Sequence, residues 1–142
     1  MKTVLQEKLW AYIVHNNPDL LLELQEQNSV TAYLDEKVAG ILPQEQQMLS
    51  VGTPAYEMEE FCLNAMTEEL RPSKYLYVLS VLQEEFPKDF ERIAKTGILV
   101  HEVLNMLYAC RQTFEDLEFS QASEDDRHIR YAIIAKVHEY LT

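Results

Sequence analysis

Apolar residues in this chain recur at intervals of three and four positions, which is the spacing of one face of an α-helix. The first segment shows this spacing at Leu5, Leu9, Tyr12 and Ile13. It predicts a first helix from about Thr3 to His15. Comparable segments follow along the whole chain, so we predict an all-α protein.

Prolines and glycines separate these segments and are expected only where a helix starts or stops. A proline inside a helix costs about 3 kcal/mol. We therefore expect Pro43 just past the end of the third helix, with Gln44 to Ser50 forming a loop or a frayed turn. Gly97 is expected to cap a helix in the left-handed conformation. Ser123, with Asp126 three residues later, resembles a capping box at the start of the last helix.

The predicted fold is a single multihelical domain over residues 1–142, with about seven or eight helices. The segment after Thr53 is the most clearly amphipathic, and Phe61 and Cys62 lie on its apolar stripe. Two other stretches, Tyr75 to Leu82 and Ile98 to Leu107, are apolar on nearly all sides and should be the most buried parts of the chain.

The order of helices, prolines and loops repeats after roughly 70 residues. This periodicity leaves a second description open, in which residues 1–71 and 72–142 form two similar four-helix halves. In that alignment Pro18 corresponds to Pro87, and Phe61 corresponds to Tyr131.

Charge narrows the range of partners. The chain has 24 Asp and Glu residues against 12 Lys and Arg, a net charge of −12. Residues 1–71 carry 12 of the acids and only 4 of the bases, so the acidity is concentrated in the first half. A negative field repels the phosphates of nucleic acids and anionic lipids, so we expect no direct binding to nucleic acid or membrane.

Composition also indicates the compartment. No apolar run approaches the ~18 residues of a membrane-spanning helix, and the first residues carry charges where a signal peptide is apolar. Cys62 and Cys110 are far apart and lie in helical patterns, which favours small core residues in a reducing compartment. We therefore expect a cytoplasmic protein.

No metal or cofactor motif stands out in the sequence. His101-Glu102 opens like the two-histidine zinc signature of metalloproteases, but residue 105 is Asn, so the second ligand is missing. His128 and His138 are ten residues apart on one predicted helix, too far to share a metal unaided. We predict no bound metal and no cofactor.

An enzymatic alternative would be a small hydrolase with a site at the junction of the halves. Its candidate residues would be Cys110 or His101. Arg111 could lower the pKa of the Cys110 thiol, but no feature places a base, an orienting group and an oxyanion donor together. We predict that the protein is not an enzyme.

The acidity itself suggests a function. Glu57, Glu60 and Glu68 lie opposite the apolar stripe of the fourth predicted helix, reinforced by Glu59 and Glu69. Net charges of small domains are commonly about 2–8 in magnitude, and this chain exceeds them. The alternatives are a merely solvated surface, a module that binds a basic protein, and a DNA mimic that inhibits a DNA-binding protein. We predict the interaction module, with Glu57, Glu60 and Glu68 as its partner-binding residues and its oligomeric state undetermined.

Several short segments carry a resemblance to a known family. They are Leu9-Trp10-Ala11-Tyr12-Ile13, Asn17-Pro18, Tyr33-Leu34 and Phe86-Pro87-Lys88-Asp89-Phe90. In these the chain resembles a family of small uncharacterised bacterial proteins associated with conjugative mobile elements. The resemblance implies an all-helical cytoplasmic protein with no established activity, and it assigns no functional residues.

Overall fold

The fold is all-helical. The structure is a computed structural model that describes residues 2–142. It contains eight α-helices and one short 3-10 turn, with no strand among the described residues. The predicted all-α class and the predicted number of helices are therefore confirmed. The chain divides into two compact units, Met1–Arg71 and Pro72–Thr142, which we call unit 1 and unit 2.

Unit 1 is a bundle of four helices followed by a 3-10 turn at Glu68–Leu70. The helices are α1 (Lys2–Asn16), α2 (Pro18–Glu26), α3 (Val30–Ser50) and α4 (Ala55–Met66). Helix α1 contacts the other three, and α3 packs along α4. One apolar cluster joins α1, α3 and α4, and Leu20 and Leu21 of α2 pack against it. Its buried members are Leu5, Leu9, Ile13, Val38, Ile41, Cys62 and Met66.

Unit 2 is also a bundle of four helices. They are α5 (Lys74–Glu85), α6 (Pro87–Lys95), α7 (Leu99–Asp116) and α8 (Arg127–Leu141). Helix α5 contacts the other three, and α7 packs along α8. The core of this unit contains an aromatic group in which the Phe114 ring meets Tyr77 and Phe119 edge-on, at centroid distances of 5.7 and 4.9 Å.

The two units share backbone details as well as helix order. The second helix of each begins with a proline, and the residues before it, Asn17 and Phe86, have φ, ψ angles of −136°, 58° and −131°, 56°. Each second helix is followed by a left-handed residue, Asn28 with φ 55° and Gly97 with φ 79°. The left-handed cap expected at Gly97 is confirmed. The origin of this likeness in a duplication stays a prediction.

The buried residues align the sequence of unit 1 with that of unit 2. The buried residues of α3 recur 69 positions later in α7, pairing Val38 with Leu107, Ile41 with Cys110 and Glu45 with Phe114. Those of α4 recur 71 positions later in α8, pairing Met58 with Ile129, Cys62 with Ile133 and Met66 with Val137. At this second spacing Phe61 corresponds to Ala132, one residue beyond the Tyr131 expected from the sequence.

Helix α3 is longer than expected. It passes through Gly40 and Pro43 and ends at Ser50, so the expectation that Pro43 follows a helix end was wrong. Pro43 has no N–H to donate within the helix. Beyond it, Glu45 is buried and Met48 packs against the apolar cluster of unit 1. Tertiary packing therefore keeps this segment helical despite the proline.

The start of the last helix also differs from expectation. Asp126, not Ser123, is the N-cap of α8, and its carboxylate accepts a hydrogen bond from the His128 N–H at 2.7 Å. The Ser123 hydroxyl instead accepts from the Ser120 N–H at 2.9 Å within the preceding loop. Both hydroxyl and carboxylate suit an N-cap, so the loop geometry decided between them.

The two stretches expected to be most buried hold much of the core of unit 2. Val78, Leu82 and Val103 are fully buried. Ile98 and Val100 are 45% and 48% exposed, so the expectation was wrong for the start of the second stretch. The reason is that α7 begins at Leu99 and turns only one side toward the core.

Replacing Glu118 with glycine should stabilise the protein by about 0.5–1 kcal/mol. Glu118 has φ 52° just after α7, where a side chain is strained and glycine is not. The Phe119 N–H donates to the Phe114 carbonyl at 3.0 Å, which holds the turn in this conformation. Thermal unfolding followed by circular dichroism measures the gain. Glu118→Ala removes the same charge but keeps the strain, so an equal gain there would contradict the explanation.

Candidate functional site

Helix α4 and the turn after it carry the three glutamates singled out from the sequence. We call Glu57, Glu60 and Glu68 the acidic face; all three are exposed. The other side of α4 buries Met58, Cys62 and Met66 in the core of unit 1. The period of the helix therefore separates an anchoring side from a charged side.

The acidic face is a strip rather than a cluster. Glu57 and Glu60 are one turn apart in the first half of α4, and Glu57 lies in the first turn, where the helix dipole favours a negative charge. Glu68 lies eight residues beyond Glu60, in the 3-10 turn that follows the helix. A partner that used all three carboxylates would have to extend along the helix.

The acidic face has no cationic partner among the described residues. Its only side-chain contact there is a hydrogen bond of 3.4 Å that the Tyr56 hydroxyl donates to Glu57 Oε1. The four bases of unit 1 are engaged elsewhere: Lys2 with Asp35 at 3.9 Å, Lys8 with Glu59 at 3.1 Å, Lys37 with Glu69, and Arg71 with the Asn64 carbonyl at 2.9 Å. Glu59 and Glu69 thus brace the bundle instead of reinforcing the acidic face as free charges.

Two aromatic side chains on α4 are exposed beside the acidic face. Tyr56 is 69% exposed and Phe61 is 48% exposed. The sequence had placed Phe61 on the buried stripe, which the structure corrects: the core of unit 1 takes Cys62 instead. Exposed aromatic residues are frequent anchors in protein interfaces.

An open groove of about 440 Å³ lies between α3 and α4. Its lining residues are Glu36, Lys37, Gly40, Ile41, Gln44, Ala65, Met66 and Glu68. Ile41 and Met66 are buried residues of the core, whereas Gly40 and Ala65 are small and exposed. Glu68 therefore belongs both to the acidic face and to this groove, which the sequence did not reveal.

The cysteines are placed as core residues. Burial raises the pKa of Cys110 to about 11, and Lys136 lowers it in part. Burial also raises the pKa of Cys62, and the nearby carboxylate of Glu45 acts in the same direction. Arg111, which the sequence offered as a neighbour of Cys110, instead stacks on the Tyr108 ring at 3.8 Å. At neutral pH both thiols are protonated and poorly nucleophilic.

The histidines lie apart from one another. His15, His101 and His128 are exposed, and His138 stacks on the Phe86 ring with centroids 6.2 Å apart. Within residues 2–142, no three His, Cys, Asp or Glu side chains are grouped so that they could hold a metal ion.

Glu45 is a buried acid that the sequence analysis missed. Its side chain belongs to α3 and is only 5% exposed, and no hydrogen bond or ion pair with another described residue satisfies its carboxylate. The corresponding residue of unit 2 is Phe114. An alignment of the two halves at a spacing of 69 pairs Glu45 with Phe114, which would have indicated a buried position. The expected loop after Pro43 hid this signal.

Comparison with known proteins gives no functional assignment. The chain matches no protein-family model, no curated protein and no solved structure. The resemblance to proteins of conjugative elements stays a prediction.

A helix that spans a lipid bilayer must be both long and apolar. In the described part of the chain, none of the helices is both long enough and apolar enough to span one.

Proposed function

We propose that this protein is a non-enzymatic interaction module of the cytoplasm, whose acidic face binds a basic protein. The observation that carries the proposal is the set of exposed carboxylates at Glu57, Glu60 and Glu68, which have no cationic partner among the described residues. A surface that has already neutralised its charges offers little to a cation. This surface keeps three carboxylates without a cationic partner along α4 and the turn after it.

The neighbouring aromatic residues support the same proposal. Charge alone gives fast encounter and some selectivity, while affinity depends on side chains that become buried on binding. Tyr56 and Phe61 supply such side chains next to the carboxylates. A basic protein with an apolar patch among its lysines and arginines would complement both features.

Changing Glu57, Glu60 and Glu68 together to Gln should abolish capture of the partner from the native host at low salt. With the unaltered protein, affinity should fall steeply as salt is added, because exposed charges are screened beyond about 10 Å at 0.1 M. Affinity capture followed by binding kinetics with the purified partner measures both effects. The association rate should drop more than the dissociation rate rises.

A matched triple change tests whether position matters. Glu7, Glu23 and Glu26 are exposed acids of α1 and α2, and changing them to Gln removes the same net charge. This variant should keep the partner. If it loses the partner as completely, or if the first variant retains it, the acidic face is only a solvated surface. Displacement of a captured DNA-binding protein by duplex DNA would make the module a DNA mimic.

A further inference from the structure

We propose that the groove between α3 and α4 receives a lysine or arginine side chain from a helix of the basic partner. This inference rests on the proposed function and adds the chemistry of the contact. It rests on the residues that line the groove and on the residues that unit 2 has at the aligned positions.

The alignment of the two units gives each groove residue of α4 a corresponding residue in or near α8. At the spacing of 71 set by the buried residues, Ala65 corresponds to Lys136 and Glu68 corresponds to Glu139. Along α3, at the spacing of 69, Ile41 corresponds to Cys110. The same place in the bundle thus holds a lysine in unit 2 and an alanine in unit 1.

Unit 2 has a cation of its own at this position. Lys136 Nζ lies 3.9 Å from the carboxylate of Glu139. Burial raises the pKa of Cys110, and the positive charge of Lys136 partly opposes the rise. At this position unit 2 therefore supplies both an acid and a cation that pairs with it.

Unit 1 keeps the acid but has an alanine at the position of the lysine. Glu68 has no lysine or arginine within ion-pair distance among the described residues, and neither does Glu36 on the α3 side of the groove. Lys37 also lines the groove, but it pairs with Glu69 and stacks near the Tyr33 ring at 5.7 Å. Two carboxylates without an ion-pair partner among the described residues therefore border the groove, and the lysine that lines it, Lys37, is already paired with Glu69.

The groove suits a long basic side chain. Its alkyl stem would lie along Ile41 and the small residues Gly40 and Ala65, and its charged head would meet Glu36 or Glu68. A Cβ built at Gly40 has no neighbouring atom within 4 Å, so the floor is open at this point. Small residues let the backbone of another helix approach closely, and docking of a helix in a groove is a common mode of peptide recognition.

Two variants of the full-length protein fill the groove in different ways. Ala65→Lys restores the cation of unit 2, and Gly40→Leu adds an apolar side chain at an open helix position. Matched controls make the same changes elsewhere on exposed helix surface, at Ala11→Lys and Ala39→Leu. Circular dichroism establishes that each variant is folded.

The probe is a fluorescein-labelled amphipathic helical peptide with alanine and leucine around a stripe of lysine and arginine. Fluorescence anisotropy should show that Ala65→Lys and Gly40→Leu each weaken binding by at least about tenfold. Ala11→Lys and Ala39→Leu should change it by no more than about twofold. In NMR spectra of isotope-labelled protein, the backbone amide signals of Gly40 and Ala65 should shift when the peptide is added. A twin peptide with glutamine in place of every lysine and arginine should not bind.

The inference is overturned if the basic peptide does not bind, if its glutamine twin binds equally well, or if both groove variants bind like the unaltered protein. These results are separable from failure of the proposed function. Loss of the partner on changing Glu57 and Glu60 to Gln, with full binding by Ala65→Lys, would keep the interaction module and remove the groove from it. Retention of the partner by the acidic-face variant would remove the module itself.

Discussion

Replacing Phe114 with alanine should lower the free energy of unfolding by about 3–5 kcal/mol. The Phe114 side chain is 1% exposed and lies at the centre of the aromatic group in unit 2. The substitution loses the burial of a large apolar side chain. It also leaves a cavity in the core, which the surrounding helices can close only by moving. It also removes the edge-on contacts with Tyr77 and Phe119, which add about 0.5–1.5 kcal/mol each.

Urea unfolding followed by circular dichroism measures this loss. Phe114→Leu keeps more of the volume and should cost clearly less than the alanine variant. Glu115→Ala, an exposed neighbour on the same helix, should change stability by no more than about 0.5 kcal/mol. A cost below about 1 kcal/mol for Phe114→Ala would show that the aromatic group does not hold unit 2 together.

Replacing Glu45 with methionine should have the opposite sign and stabilise the protein by about 1 kcal/mol. The Glu45 side chain is 5% exposed, and within residues 2–142 its carboxylate has no hydrogen-bond or ion-pair partner. Burying most of a charged side chain, with no protein partner for its charge, is costly. Methionine keeps a similar length and adapts to irregular space beside Cys62.

Two control variants distinguish the effect of the buried position of Glu45 from the effect of adding a methionine. Glu45→Gln removes the charge but keeps a polar group, so its gain should be smaller than that of Glu45→Met. Gln46→Met makes a comparable change at an exposed position and should lie within about 0.5 kcal/mol of the unaltered protein. If Glu45→Met destabilises the protein in chemical unfolding, the carboxylate has a favourable contact that the present arrangement of side chains does not explain.

Much of the secondary structure could be predicted because helices are local. The stripe of Leu5, Leu9 and Ile13 repeats at the period of the helix, and all three residues are fully buried in α1. Ser73, a residue type favoured at helix starts, is the N-cap of α5, and its hydroxyl accepts a hydrogen bond from the Leu76 N–H at 3.1 Å. Such signals lie within one or two turns of the residue they determine.

The acidic face could be predicted for the same reason. Glu57 and Glu60 are one turn apart, so their exposure opposite the apolar stripe of α4 follows from helical period alone. Which acids remain free could not be predicted. Glu59 is neutralised by Lys8 of another helix, and that pairing depends on how α1 and α4 pack.

The sequence by itself determined the all-α class, the approximate helix positions and the presence of an acidic strip, because helix period, caps and charge are properties of neighbouring residues. The tertiary structure decided the rest. It kept α3 helical beyond Pro43, buried Glu45 where unit 2 has Phe114, and opened a groove at Gly40 and Ala65. Each of these depends on which surfaces of distant helices meet, and packing energies then outweigh the local preferences that a sequence pattern records.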